Sequence, residues 1–186
     1  MQLMLAVQRD DDVAAFESLF RKYVHQVAGF ARSMVGSNAR AEELAQEAFV
    51  QVYRTRGRYE PRARFATWLY RIVTNLCVSE VRRAEHRLNV ATRRGGAEDP
   101  APDPGELADL EGRSGEDDLL AQERVDAIRR ALTGLPAQQR AAVWLARVEG
   151  FSYEEVGHAL GCSVSAVKSL IHRATVTLRD QMAAYD

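Results

Sequence analysis

Between Arg93 and Gly115 the chain reads RRGGAEDPAPDPGELADLEGRSG, rich in Gly, Pro, Asp and Glu and almost free of large apolar side chains. Such a stretch buries too little surface to offset the entropy of ordering its backbone, so it cannot run through a core. Helical periodicity returns on both sides of it. The simplest organisation is two small helical lobes on a flexible tether, and at 186 residues each lobe lies near the lower size limit for an independent core. Charge divides at the same places. Lys and Arg minus Asp and Glu give +6 over residues 1–94, −8 over 95–121 and +1 over 122–186, although the whole chain carries only −1. The expected domains are therefore a basic N-terminal lobe at 1–94, an acidic linker at 95–121 and a C-terminal lobe at 122–186. Helix formers abound and no long β-branched run occurs, so the fold is expected to be all-α.

In the first lobe Val13, Phe16, Leu19, Phe20, Tyr23, Val24, Val27, Phe30 and Met34 recur at spacings of three and four, the pattern of one buried helix face. VGSN then stops that helix, with Gly36 suited to a left-handed C-terminal position. A second helix is predicted from about Ala39 to Arg54, with Leu44, Ala45, Ala48, Phe49, Val52 and Tyr53 as its apolar stripe. A third begins near Phe65, beyond the basic loop RTRGRYEPRAR.

Three features carry function. In FSYEEVGHALGCSVSAVKSLIHRATVTLR, Ser152 and Glu155 have capping-box spacing, Gly161 permits a sharp turn and Ser163 can cap a second helix. Val164, Val167, Ile171, Ala174 and Leu178 then share one side, leaving Ser165, Ser169, His172 and Arg173 outward and Lys168 at the edge. This stretch alone fits either a helix-turn-helix suited to the major groove or an ordinary helical hairpin. The second feature is the loop with Arg54, Arg56, Arg58, Arg62 and Arg64, followed by Phe65, Trp68, Arg71, Arg82, Arg83 and Arg87. Arginines among aromatic rings suit partly single-stranded nucleic acid, and Asn75 offers hydrogen bonds to an unstacked base; the plainer alternative is a solvated basic face over a core Trp. The third is the acidic helix face of Glu42, Glu43, Gln46 and Glu47, which repels DNA and belongs against solvent or a basic protein surface.

Other classes find no support. Cys77 and Cys162 stand far apart without metal or redox spacing, so both are expected as small core residues. No nucleophile constellation, phosphate-binding glycine loop or metal spacing argues for an enzyme, a cofactor or a metal. The opening MQLMLAVQRDDD has no charged lead before a long apolar core, and no apolar run of about 18 residues occurs. A cytoplasmic location without membrane insertion is expected.

Taken in order, these motifs resemble the extracytoplasmic-function class of bacterial RNA polymerase sigma factors, within the sigma-70 family. RAEELAQEAFVQVYR is similar to the polymerase-binding helix of region 2, FATWLYRIVTNLCVSEVRR to the helix that reads the minus-10 element, and the stretch from Leu132 to Ala174 to region 4. The resemblance implies an alternative sigma factor that binds core RNA polymerase and directs promoter-specific initiation. It implies that Glu43, Gln46 and Glu47 meet the clamp of the largest subunit, and that region 4 meets the flap of the second-largest. It places Tyr59, Arg62, Arg64, Phe65, Arg71, Asn75, Arg82 and Arg83 at the minus-10 element, with Trp68 mainly in the core beneath the loop. Ser165, Lys168, Ser169, His172 and Arg173 match the minus-35 reading positions. Many members are held by an anti-sigma factor, and family linkers thread into basic channels of the polymerase that the acidic tether complements in charge. Departures are Leu170, the TVT run at Thr175 to Thr177, Arg40 and Ser79, where basic residues and, at the last two, acidic residues are common. Fewer minus-35 phosphate contacts and reliance on tethering follow. The rivals are a dimeric helix-turn-helix regulator acting on duplex DNA without polymerase, and an interaction protein that sequesters a partner with both lobes.

Overall fold

The computed structural model describes residues 2–61, 64–93 and 130–182. The tether expected at 95–121 and Arg62 lie outside the described residues. Every regular element among the described residues is helical, and the two expected helical lobes are both present.

Helix α1 (Gln2–Asp10) was not anticipated; Met4 and Val7 seal it onto the next helix. Helix α2 (Val13–Val35) starts where the Asp12 carboxylate accepts the Ala15 N–H and stops at Gly36, whose φ of 76° places it in the left-handed region as expected. Helix α3 (Asn38–Arg54) is capped by Ser37. A 3₁₀ turn over Arg56–Arg58 opens the basic loop, and helix α4 (Phe65–Arg93) follows it. Leu19, Val27, Phe30 and Met34 of α2, Leu44, Ala48 and Val52 of α3, and Leu69, Val73 and Cys77 of α4 form the core of this lobe. Burial pushes the Cys77 thiol up to about 12, so it stays a protonated core group. Cys162 is free and half-buried against the core.

The apolar stripe of α2 is not wholly buried. Val13 is 69% exposed, and Phe16 and Phe20 are half-buried. The reason is an open groove beside α3, whose Val50 is 48% exposed.

In the second lobe residues 130–133 are helical, and helices α5 (Ala137–Arg147), α6 (Tyr153–Leu160) and α7 (Val164–Met182) follow. The capping box at α6 forms in full, with the Ser152 and Glu155 side chains each accepting the other's backbone N–H, and Gly161 ends the helix at φ 66°. A side chain at Gly157 has no room. A Cβ there would stand 2.8 Å from the Cys162 carbonyl oxygen, a backbone atom that cannot swing away. Gly157→Ala is expected to destabilise this lobe by about 1–3 kcal/mol, read as a lower urea midpoint; an unchanged midpoint would show that the turn relaxes.

The lobes pack on each other, and their apolar residues merge into one core. Helix α6 lies against α4, where a ring series runs from Phe30 through Tyr70 (5.5 Å) to Phe151 (5.3 Å). Arg140 is the polar part of the seam. It is 6% exposed, and its guanidinium donates to Met34 O (2.6 Å) and Ser33 O (3.2 Å) at the end of α2 and to Thr133 O and Leu135 O of its own lobe. Those are carbonyls that a helix end or turn leaves open, which is why a buried guanidinium is tolerated there. Arg64 and Glu155 form an ion pair at the rim, at 3.3 Å. Thr67 and Thr74 flank Tyr70 on the same stripe of α4. Both are buried, and their hydroxyls have no hydrogen-bond partner among the described residues.

Candidate functional site

Three surfaces collect the residues singled out from sequence. On α3, Glu42, Glu43, Gln46 and Glu47 are all exposed on the face opposite Leu44, Ala45 and Ala48. Gln46 also borders the open groove, a cavity of about 580 Å³ with Phe16, Phe20, Phe49, Val50 and Tyr53 in its walls. An acidic face beside an apolar trough suits a partner helix with basic and apolar residues, because charge steers approach while burial holds the complex.

The second surface is the basic loop and α4. Arg64, Arg71, Asn75, Arg82 and Arg83 are exposed along it. Tyr59 and Phe65 are only 2% and 3% exposed, and they pack with Trp68 at ring distances of 5.3–6.2 Å. In this conformation their rings brace the loop from beneath and are not presented for stacking. Trp68 is half-buried there, as expected. Burial pushes the Tyr59 phenol up, and its hydroxyl has no partner among the described residues. Helix α1 also positions this loop: Gln8 Nε2 donates to Gly57 O (3.2 Å) and Tyr59 O (3.0 Å). Asp11, at φ 52°, accepts from Tyr53 Oη at 2.7 Å and pairs with Arg56 at 3.0 Å.

The third surface is α7. Ser165, Lys168, Ser169, His172 and Arg173 are exposed together, while Val167, Ile171 and Ala174 are buried. Val164 and Leu178 are half-buried, and Leu170 is half-buried at the border, where its spacing put it. The corner between α6 and α7 is thus a helix-turn-helix with an open polar face.

Residues 19–87 match the family described as Sigma-70 region 2, and residues 126–178 match that described as Sigma-70, region 4. The chain is 36% identical over 172 residues to the RNA polymerase sigma factor CarQ of Myxococcus xanthus, covering 92% of this chain and 91% of that one. It belongs to the extracytoplasmic-function sigma factors of the sigma-70 family. The RNA polymerase sigma-H factor of Pseudomonas aeruginosa is 34% identical over 180 residues, covering 93% of this chain and 88% of its own length. The solved sigma factor RpoE from Bartonella quintana, in complex with the anti-sigma factor NepR, has a TM-score of 0.70 at 23% identity, covering 92% of this chain and 98% of that one. That likeness shows the fold. As an alternative sigma factor this chain directs transcription initiation with RNA polymerase, and promoter DNA and the polymerase are its family's partners. No described helix is long and apolar enough to cross a membrane.

Within the sigma factor, sequence reasoning missed the group that joins the first two surfaces. Glu80 of α4, with its side chain 11% exposed, receives Arg40 Nη2 of α3 at 2.8 Å, Arg83 Nη1 at 3.1 Å and Arg87 Nη2 at 3.6 Å. Arg40 turns its other nitrogen to Glu43 at 2.6 Å. A spacing of 40 residues between Arg40 and Glu80 leaves no local signature of this pairing. The Arg40 guanidinium, chiefly by hydrogen bonding, holds the Glu80 carboxyl below its ordinary value against the opposing effect of burial. A depressed carboxyl stabilises the fold fully above its unfolded value and loses that contribution as pH falls through the folded one. The melting temperature gap between wild type and Glu80→Gln is therefore expected to be constant above about pH 5 and to narrow steadily in more acid solution; a gap that does not narrow as the solution is made more acid would contradict this.

Proposed function

We propose that the acidic face of α3 and its apolar groove dock on the clamp of the polymerase largest subunit, with Glu43, Gln46 and Glu47 as the polar contacts. The observation that carries this is the exposure of all three on one helix face beside an unfilled apolar trough. Loop and α4 together read the minus-10 element. Arg64, Arg71, Arg82 and Arg83 neutralise phosphate, Asn75 bonds a flipped base, and Tyr59 and Phe65 act as the packed floor of the loop. Arg62 belongs to the same assignment by sequence alone. Ser165, Lys168, Ser169, His172 and Arg173 on α7 read the minus-35 major groove, and this lobe meets the flap of the second-largest subunit. The chain carries no chemistry of its own, works in the cytoplasm, and any anti-sigma partner competes for these same faces.

The test is co-purification of the untagged chain with bacterial core RNA polymerase, followed by run-off transcription from pooled promoter fragments. Stable association and new start sites are expected, and Glu47→Lys is expected to weaken association about tenfold or more with normal folding, since like charges across an interface cost several kcal/mol. Unchanged core affinity in Glu47→Lys would remove the α3 assignment. Duplex binding by the chain alone, without association, would favour the dimeric regulator.

A further inference from the structure

Resting on those surface assignments, we infer that Arg40 and Glu80 form a charge relay that couples polymerase docking at Glu43 to phosphate contact by Arg83 and Arg87. Arg40 stands between two carboxylates, Glu43 at 2.6 Å and Glu80 at 2.8 Å. Glu80 in turn is shared by Arg40, Arg83 and Arg87. The middle of the chain is sheltered and its ends are open: the Glu80 side chain is 11% exposed, against 63% for Glu43, 60% for Arg83 and 67% for Arg87. A carboxylate has about four lone-pair sites and a guanidinium five N–H donors, so each new partner at one end redistributes bonds along the series.

The direction follows from charge. A basic group of the polymerase that takes Glu43 leaves Arg40 to Glu80 alone. Glu80 is then more fully neutralised and holds Arg83 and Arg87 less, and they turn to phosphate. Read from the other end, phosphate that takes Arg83 and Arg87 leaves Glu80 dependent on Arg40 and releases Glu43 to the polymerase. Both routes give positive coupling of the same size, as linkage requires. Because the outer pairs are exposed, the coupling is modest, about threefold.

A double-mutant cycle on reconstituted holoenzyme decides it. The readout is the association constant for a promoter fragment selected by run-off transcription, measured for wild type, Glu43→Gln, Arg83→Ala and the pair. The relay predicts that the pair loses about threefold less than the product of the single losses, because the coupling is removed only once. Repeating the cycle with Arg40→Met and Glu80→Met together, whose similar volume keeps the contact between α3 and α4 packed, is expected to restore the product rule. Losses that multiply in the native background overturn the relay, and that cycle suffices even if the methionine variant fails to fold. Non-additivity that survives in a folded methionine variant also overturns it. Arg83→Ala without any loss of promoter affinity refutes the minus-10 assignment itself, and Glu43→Gln without any loss of core affinity, measured on the same preparations, refutes the α3 assignment.

Discussion

Asn75→Ala is expected to lower promoter opening by about tenfold or more while leaving affinity for core polymerase unchanged, since a side chain paired to a base edge is worth about 1–3 kcal/mol. Asn75 is exposed on α4, one helical turn beyond Arg71. Its carboxamide presents both a donor and an acceptor, which alanine removes without opening a cavity, so little stability is at stake. Permanganate reactivity of the melted strand measures opening, and core binding is measured on the same preparation. Loss of core binding in parallel would show that Asn75 supports the fold of the lobe instead.

Arg140→Met is expected to open the free protein. Two of the guanidinium's four carbonyl acceptors belong to the other lobe, and hydrogen bonds to charged groups contribute about 1.5–3 kcal/mol each. Burial pulls the Arg140 guanidinium below its ordinary value, so part of that gain is offset by desolvation. A net loss of about 2 kcal/mol remains, roughly a thirtyfold shift away from the closed form. Small-angle scattering of the chain without polymerase is expected to show a larger radius of gyration. Arg140 also braces its own lobe, so Arg64→Glu, which sets two carboxylates against each other at the 3.3 Å rim contact, is the companion variant. Compact particles from both variants would mean that the apolar seam alone holds the lobes.

Closure bears on function through α4. In the free chain Phe151, just before α6, packs on Tyr70 of α4, while Arg71 and Asn75 and the polar face of α7 stay exposed. One of the loop's arginines, Arg64, is engaged by Glu155. The phosphate contact proposed for Arg64 therefore competes with its pairing to the second lobe.

Much of this was legible in the chain. The end of α2 at Gly36, the capping box at Ser152 and Glu155 and the turn at Gly161 fall where local chemistry placed them, and so does the division of α7 into a buried and an exposed side. Caps, left-handed glycines and helical periodicity act over three or four residues, so a sequence states them directly. The same holds for the acidic face of α3. Helix α1 escaped notice because its two buried residues, Met4 and Val7, make too short a stripe to read.

What depends on distance along the chain was decided only by the tertiary structure. The periodic apolar residues of α2 predict a buried face, but whether Val13 and Phe16 are covered depends on how far α3 extends beside them, and it leaves a groove. Phe65 reads as a stacking ring from the sequence and the resemblance sets Tyr59 beside it; packing with Trp68 makes both the floor of the loop. Arg40 meets Glu80 across 40 residues, and Arg140 meets the end of α2 across more than a hundred. Neither pairing leaves a periodic trace, because an ion pair or a buried guanidinium needs two groups close in space and imposes no spacing in sequence. The sequence by itself thus determined the all-α class, the helices it marks with caps and long periodic stripes, and the family. The closed seating of the lobes and the partners of the buried charges arose where separate helices came to share one core.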